Sequence, residues 1–234
     1  MHPPSLAGRR LLITAGPTWV PLDAVRYLGN TSSGRTGVTI ARRAAELGAE
    51  VTLLLGPVQE PPAESSLAGA CVRRYVTFDD LHTAVRELAG SGRFDAMIHA
   101  AAVSDYLPAN VETGKIPSAG ELTLRLVPAP KIVDEVKRLD PKLVLVKFKL
   151  EVARSRDELI RIASRSRERS RAELIVANDL TGLTADRHPA LILDEHGVQA
   201  SVETNAELAE RLLELLVQRL QRGTAGLPPN GGLV

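Results

Sequence analysis

The sequence predicts a doubly wound α/β fold: a mostly parallel, Rossmann-like sheet followed by an antiparallel hairpin and a last helix. Three observations carry that prediction. Short aliphatic runs alternate with amphipathic helical stretches along most of the 234 residues, the pattern of βα units feeding a parallel sheet with helices on both faces. Two late runs flank Asp194-Glu195-His196-Gly197, a hairpin signal. Hydrophobic residues at 44% and charged residues at 24% match a globular domain able to bury a large core.

The first strand is Leu11, Leu12 and Ile13, ending at Thr14-Ala15-Gly16. A helix begins near Gly34, with Val38, Ile40, Ala41, Ala44, Ala45 and Leu47 as its buried stripe. Residues 50–55 form a second strand, stopped by Gly56-Pro57, and 58–69 a loop. A third strand covers 71–76, and an acidic first turn at Asp79 and Asp80 starts a helix to about Leu88. Residues 93–100 are the next strand. The segment 107–120, rich in Pro, Gly and small polar residues, reads as a mobile flap carrying Lys115, and 122–127 as a strand with one solvated face. Pro130 opens a short helix, 142–150 is a strand, 155–171 a highly charged helix, and 173–177 a strand ending at Asn178-Asp179. Residues 189–193 and 198–202 pair about the hairpin. Thr204 and Glu207 resemble a capping box for the last helix, whose stripe is Leu208, Leu212, Leu215, Leu216 and Leu220. Residues 1–222 read as one domain without a dividing linker, and 223–234 as a disordered tail.

Charge and cysteine content narrow the function. With 29 Lys+Arg against 28 Asp+Glu, the net charge of +1 offers no field for nucleic acid or a membrane surface, so an anionic ligand needs a local site. The single cysteine, Cys71, excludes a disulfide framework, fits a reducing cytoplasm, and reads as a core residue in an apolar run. The N-terminus has no apolar h-region, and no run is long enough to span a bilayer; the expected location is cytoplasmic.

The most informative stretch is the connection between the first strand and the first helix. It takes about eighteen residues where ordinary βα connections take ~2–6, and long ordered loops are usually functional. It ends in Ser32-Ser33-Gly34-Arg35-Thr36-Gly37 at the helix start, where free amides and the helix dipole suit a phosphate. The bland alternative is a Ser N-cap. A nicotinamide dinucleotide site wants a tight glycine turn directly after the strand and a carboxylate ending the next; both are missing. No catalytic-triad, HExxH or P-loop motif is present. His99 reads as a hydrogen-bonded core residue, and His82 and His188 as surface or packing residues.

Several segments in order carry a family resemblance: TAGPT at 14–18 with VPLD at 20–23, VRYLGNTSSGRTG at 25–37, AAAVSDY at 100–106, Lys115-Ile116, FKLE at 148–151 and LIVANDL at 174–180. They resemble the signature of phosphopantothenate–cysteine ligase, also called phosphopantothenoylcysteine synthetase, over roughly residues 10 to 220. The resemblance implies that CTP or ATP, with Mg²⁺, activates the carboxylate of 4′-phosphopantothenate as an acyl-nucleotide, which the amine of L-cysteine then attacks, in coenzyme A biosynthesis. It implies phosphate contacts from Gly16, Ser32, Gly34 and Gly37, and a nucleotide pocket lined by Phe148 and Asn178. Asn30 would act on the acyl carbonyl, and Lys115 would neutralise triphosphate charge. Arg26, Ala101, Ala102 and Asp105 fall at substrate-binding positions. A homodimer is implied, Arg26 serving a site on the other subunit. Metal ligands are not indicated.

The chain departs from the pattern in three places. Fused bacterial members commonly read Gly-Phe-Ala-Ala-Glu-Thr where this chain has KFKLEV at 147–152, nearer to stand-alone members, which leaves CTP against ATP open. Pro117-Ser118 stands where a second flap lysine is often found, and the charged helix carries Arg161, Arg165, Arg167, Arg169 and Arg171 in place of lysines. A stand-alone ligase without the decarboxylase domain is expected. The other readings are a nucleotide-binding regulatory protein that lacks turnover and a nicotinamide- or flavin-dependent reductase.

Overall fold

The computed structural model describes residues 5–118, 120–184 and 187–224. Its twelve strands are β1 (Arg10–Ala15), β2 (Trp19–Pro21), β3 (Tyr27–Gly29), β4 (Glu50–Leu55), β5 (Cys71–Arg74), β6 (Ala96–His99), β7 (Tyr106–Pro108), β8 (Leu126–Pro128), β9 (Val144–Glu151), β10 (Leu174–Asp179), β11 (Ala190–Asp194) and β12 (Gly197–Val202). The helices are α1 (Arg35–Glu46), α2 (Phe78–Ala89), α3 (Ile132–Leu139), α4 (Arg156–Ser170) and α5 (Asn205–Thr224).

Eight strands form one sheet in the order β12-β11-β10-β9-β6-β1-β4-β5. The pairs from β10 to β5 are parallel, and β11 and β12 add an antiparallel edge, as expected. The chain steps outward from β1 first to β4 and β5, then back across to β6, β9 and β10. That reversal between β1 and β6 is the place where open α/β sheets bind ligands, beyond the carboxyl ends of the strands.

Both faces are sealed by apolar stripes. On one, Ile40, Ala41 and Ala44 of α1 meet Leu212, Leu213 and Leu216 of α5 over Leu11, Ile13 and Ile98. On the other, Leu81 and Val85 of α2 and Val136 of α3 cover Leu12, Met97 and Leu145, while Leu159 and Ala163 of α4 cover Ile175. Each leucine so buried stabilises the fold by about 1.5–3 kcal/mol. The α2 and α4 starts carry capping boxes from Thr77–Asp80 and Ser155–Glu158, satisfying first-turn amides that would otherwise be bare.

Four expectations are corrected. Cys71 is exposed, because β5 is the sheet's outer parallel strand and leaves only Val72 half-covered there. Residues 122–127 are not a strand with one dry face: pairing is confined to β8, and every residue from 121 to 128 is exposed. The expected flap at 107–120 is not wholly loop: Leu107 and Pro108 close β7, and within the irregular residues 109–118 Ala24 N–H donates to the Gly114 carbonyl and Glu112 N–H to the Leu22 carbonyl. Gly223 and Thr224 belong to α5, and the rest of the expected tail, like residues 1–4, lies outside the described residues. The long connection after β1 also holds an unforeseen two-stranded ribbon, β2 against β3, on which Trp19 and Tyr27 stack 3.8 Å apart.

Candidate functional site

Backbone contact between two glycines builds the floor of the site. Gly16 (φ +82°) and Gly34 (φ +69°) both adopt left-handed conformations, and a Cβ on Gly34 would lie 3.2 Å from the Gly16 nitrogen. The N-cap residue of α1 is Gly34, not a serine; the serines before it accept only from the amides at the loop's end, Ser32 from Gly34 N–H at 3.3 Å and Ser33 from Arg35 N–H at 3.4 Å, so the later first-turn amides suit an acceptor. One turn in, a Cβ on Gly37 would sit 2.6 Å from that of Ala15, so α1 leans directly on the end of β1. Tyr75, buried, donates its hydroxyl between the Ala15 and Gly16 carbonyls (2.9 and 3.0 Å).

The loops after β1 and β6 are laced together above this floor. Ala102 N–H donates to the Gly16 carbonyl at 2.9 Å, Thr18 N–H to Ala102 at 3.2 Å, and Ser104 N–H to the Thr18 hydroxyl at 3.0 Å. Asn30 spends its side-chain amide on the Ala102 and Val103 carbonyls, at 3.2 and 3.1 Å. The result is a cavity of about 630 Å³ across the strand ends. Asn30, Ser32, Gly34 and Gly37 line it from one side, Ala101, Ala102 and Asp105 from the middle, and Phe148 and Asn178 from the far end. Gly16 lies beneath.

Arg26 and Lys115 are placed elsewhere within this chain. Arg26 forms a two-pronged ion pair with Asp23 and donates to the Ile116 carbonyl at 2.6 Å. The Asp23 carboxylate also accepts from Ile116 N–H, and the Arg26 guanidinium above all holds its pKa far below the usual carboxylate range. Lys115, exposed, borders a second hollow of about 470 Å³ with Leu22, Pro108 and Arg125.

The sequence reading missed a polar row crossing the sheet. Thr14 pairs in register with His99 and His99 with Lys147, and all three point to the face of Leu12, Met97 and Leu145. Each is buried in a row of otherwise apolar positions. The Thr14 hydroxyl accepts from Ala101 N–H (3.2 Å) and shares a hydrogen bond with His99 Nδ1 (3.0 Å). Burial, then the charge on Lys147, lowers the His99 pKa to about 4, leaving the ring neutral. Burial likewise lowers Lys147 to about 8, opposed by Asp134. His99 and Lys147 line the cavity, as do Lys131, ion-paired with Asp105, and Arg169, bonded to Asp134 at 3.0 Å. His188, expected as surface or packing, borders the cavity near Asn178, half-buried.

The model of the DNA/pantothenate metabolism flavoprotein C-terminal domain matches residues 6–220. The chain belongs to that family. It is 36% identical over 222 residues to the coenzyme A biosynthesis bifunctional protein of Thermococcus kodakarensis, covering 94% of this chain and 54% of that one. With the bifunctional protein of Escherichia coli it shares 34% over 219 residues, 89% of this chain and 52% of that. It thus spans about half the length of these relatives. Among solved structures, the DNA/pantothenate metabolism flavoprotein of Streptococcus pneumoniae superposes with a TM-score of 0.80 at 31% identity, over 91% of this chain and all of that one. The C-terminal domain of a coenzyme A biosynthesis bifunctional protein gives 0.75 at 28%, over 94% and 99%. The family thus has this α/β fold. Among the described residues no helix is long and apolar enough to cross a membrane.

Proposed function

We propose that the chain ligates 4′-phosphopantothenate to L-cysteine through an acyl-nucleotide made from CTP or ATP. The observation that carries the reading is the glycine-headed start of α1, floored by Gly16 and Gly34, opening into the same cavity as Asn30, Ala101, Ala102 and Asp105. A carboxylate is inert to amines until its oxygen becomes a leaving group. In the first step the carboxylate oxygen attacks the α-phosphorus of the triphosphate and pyrophosphate leaves. In the second, the cysteine amine attacks the acyl carbon, the nucleoside monophosphate departs, and the amine proton is lost to solvent. Open first-turn amides of α1 suit the phosphates. Asn30, by releasing one backbone carbonyl, would donate to the acyl oxygen as charge develops there.

Mg²⁺ would enter bound to the triphosphate. No group of three or more His, Cys, Asp or Glu among the described residues forms a metal cage, which fits an ion held by phosphates with one or two carboxylates. It would offset phosphate charge.

A homodimer completes the proposal. Tyr27, Leu28, Tyr106, Leu126 and Val127 are exposed on the β2–β3 and β7–β8 ribbons, an apolar surface that suits a second copy. Arg26 and Lys115 flank it, so their roles at a cavity would be met across the interface.

The test is pyrophosphate release with phosphopantothenate and CTP or ATP, with and without cysteine. Release from either triphosphate, with phosphopantothenoylcysteine formed once cysteine is added, supports the reading. No release with any triphosphate overturns it.

A further inference from the structure

We propose that Lys147 reads the base of the nucleotide co-substrate, selecting one whose edge carries two adjacent acceptors, cytosine (N3 and O2) or guanine (N7 and O6), over adenine or uracil. The proposal rests on the ligase reading for the presence of a nucleotide and goes beyond it in naming which one.

The cavity does not stop at the glycine floor. It continues over the ends of β6 and β9 into a groove between α3 and α4, where Ile132 and Val133 form one wall and Ser166 and Arg169 the other. Lys147 is the floor of that groove at 4% exposure. Its ammonium has three donors; one goes to the Ser166 carbonyl at 3.2 Å. Asp134 Oδ1 is 3.8 Å away, beyond hydrogen-bonding distance, and that buried oxygen has no hydrogen-bond partner. The lysine is therefore held by the field of Asp134 without spending its remaining N–H groups, which are left for a ligand. Its neighbours are more fully committed: Arg169 to Asp134 at 3.0 Å, Lys149 to Glu151 at 2.8 Å, Lys131 to Asp105.

Distance and charge select the occupant. From the end of β1, where α1 starts, to β9 is two strand spacings, roughly 10 Å, about the span from a nucleotide's phosphate to its base edge and far more than a cysteine covers. A phosphate is disfavoured there, because the Asp134 carboxylate leaves Lys147 and Arg169 with a net charge of only one. A neutral ring with two adjacent acceptors satisfies the free donors of a buried ammonium without bringing in a charge. Adenine and uracil offer no edge with two adjacent acceptors and leave one ammonium hydrogen unpaired, which in a buried site is costly. Burial draws the Lys147 pKa to about 8, with Asp134 opposing and Arg169, Lys149 and Lys131 assisting, as for a buried cation with a single bonded partner.

The experiment compares kcat/KM for pyrophosphate release from CTP, GTP, ATP and UTP in the wild type, Lys147→Met and Lys147→Gln. A bidentate base contact discriminates by about 5- to 150-fold. The wild type should favour CTP or GTP over ATP and UTP within that range, and in Lys147→Met the ratio should fall to within about threefold through a higher KM for the favoured triphosphate. Lys147→Gln, which keeps an amide donor, should lie between. A wild type that prefers ATP or UTP, or a ratio unchanged in Lys147→Met, overturns the proposal. If no triphosphate releases pyrophosphate, the ligase reading falls, and calorimetric titration with CTP and ATP decides the subsite: tighter CTP binding that Lys147→Met abolishes upholds it, and equal or absent binding refutes it.

Discussion

Arg26 grips the buried Asp23 carboxylate through Nε at 2.9 Å and Nη2 at 2.5 Å, and with the same guanidinium holds the carbonyl next to Lys115. The ion pair therefore fixes the path of the 112–116 segment as well as the turn that bears it. Asp23→Asn should loosen that segment while leaving the sheet intact. Limited proteolysis at neutral pH should cut the variant within 110–118 and spare the parent there; equal cleavage would disprove the coupling. Because the folded-state pKa is depressed, the contribution is present above the ordinary carboxylate pKa of ~3.9 and is lost as the pH falls toward the lowered value.

Asn30 and Lys115 should separate the two chemical steps. Asn30→Ala should still release pyrophosphate but form product about 10²–10³-fold more slowly, the usual loss for one oxyanion donor. Lys115→Ala should fail at pyrophosphate release with its thermal unfolding unchanged. Quantifying pyrophosphate and product in the same reaction checks both. Joint loss in Asn30→Ala, or a normal pyrophosphate burst in Lys115→Ala, would reject the division.

Gly37→Ala should damage the nucleotide site by displacing α1. The new methyl would lie 2.6 Å from the Ala15 Cβ and 3.2 Å from the Thr14 carbonyl, so helix or strand must move. Overpacking of this kind costs about 1–3 kcal/mol, which thermal unfolding will show, and triphosphate affinity should fall with it. Unchanged affinity would mean that the α1 start is not where phosphates sit.

His99 should make the fold acid-sensitive. Its folded pKa of about 4 lies below the ordinary 6.5, so between those values the unfolded chain binds a proton that the native one refuses, and stability falls as the pH drops through that window. The loss is on the order of 2 kcal/mol. Urea midpoints at pH 6.5 and 4.5 should differ less in His99→Gln than in the wild type; equal slopes would contradict it.

The elements legible in the sequence are those whose signal is local. The 11–55 βαβ unit, the acidic start of α2 and the hairpin at Asp194 each carry turn, cap and period within a few residues. The phosphate-suited start of α1 was legible for the same reason, its glycines and serines being contiguous. The Lys147 groove was not, because α3, α4 and β9 meet only in the fold. The one available signal was a lysine inside the apolar run VLVKF at 144–148, where a buried central strand has no solvated face to accept it. Cys71 misled in the opposite sense: apolar neighbours do not reveal that their strand is the last in its direction.

The cavity's two ends belong to opposite sides of the sheet, and only the glycine floor depends on backbone alone. A small inhibitor seated solely between α3 and α4 would depend on side chains that a few codon changes can replace, whereas one wedged over Gly16 and Gly34 would contact a surface that any side chain larger than hydrogen destroys. Resistance should therefore arise readily against the first kind of compound and rarely against the second.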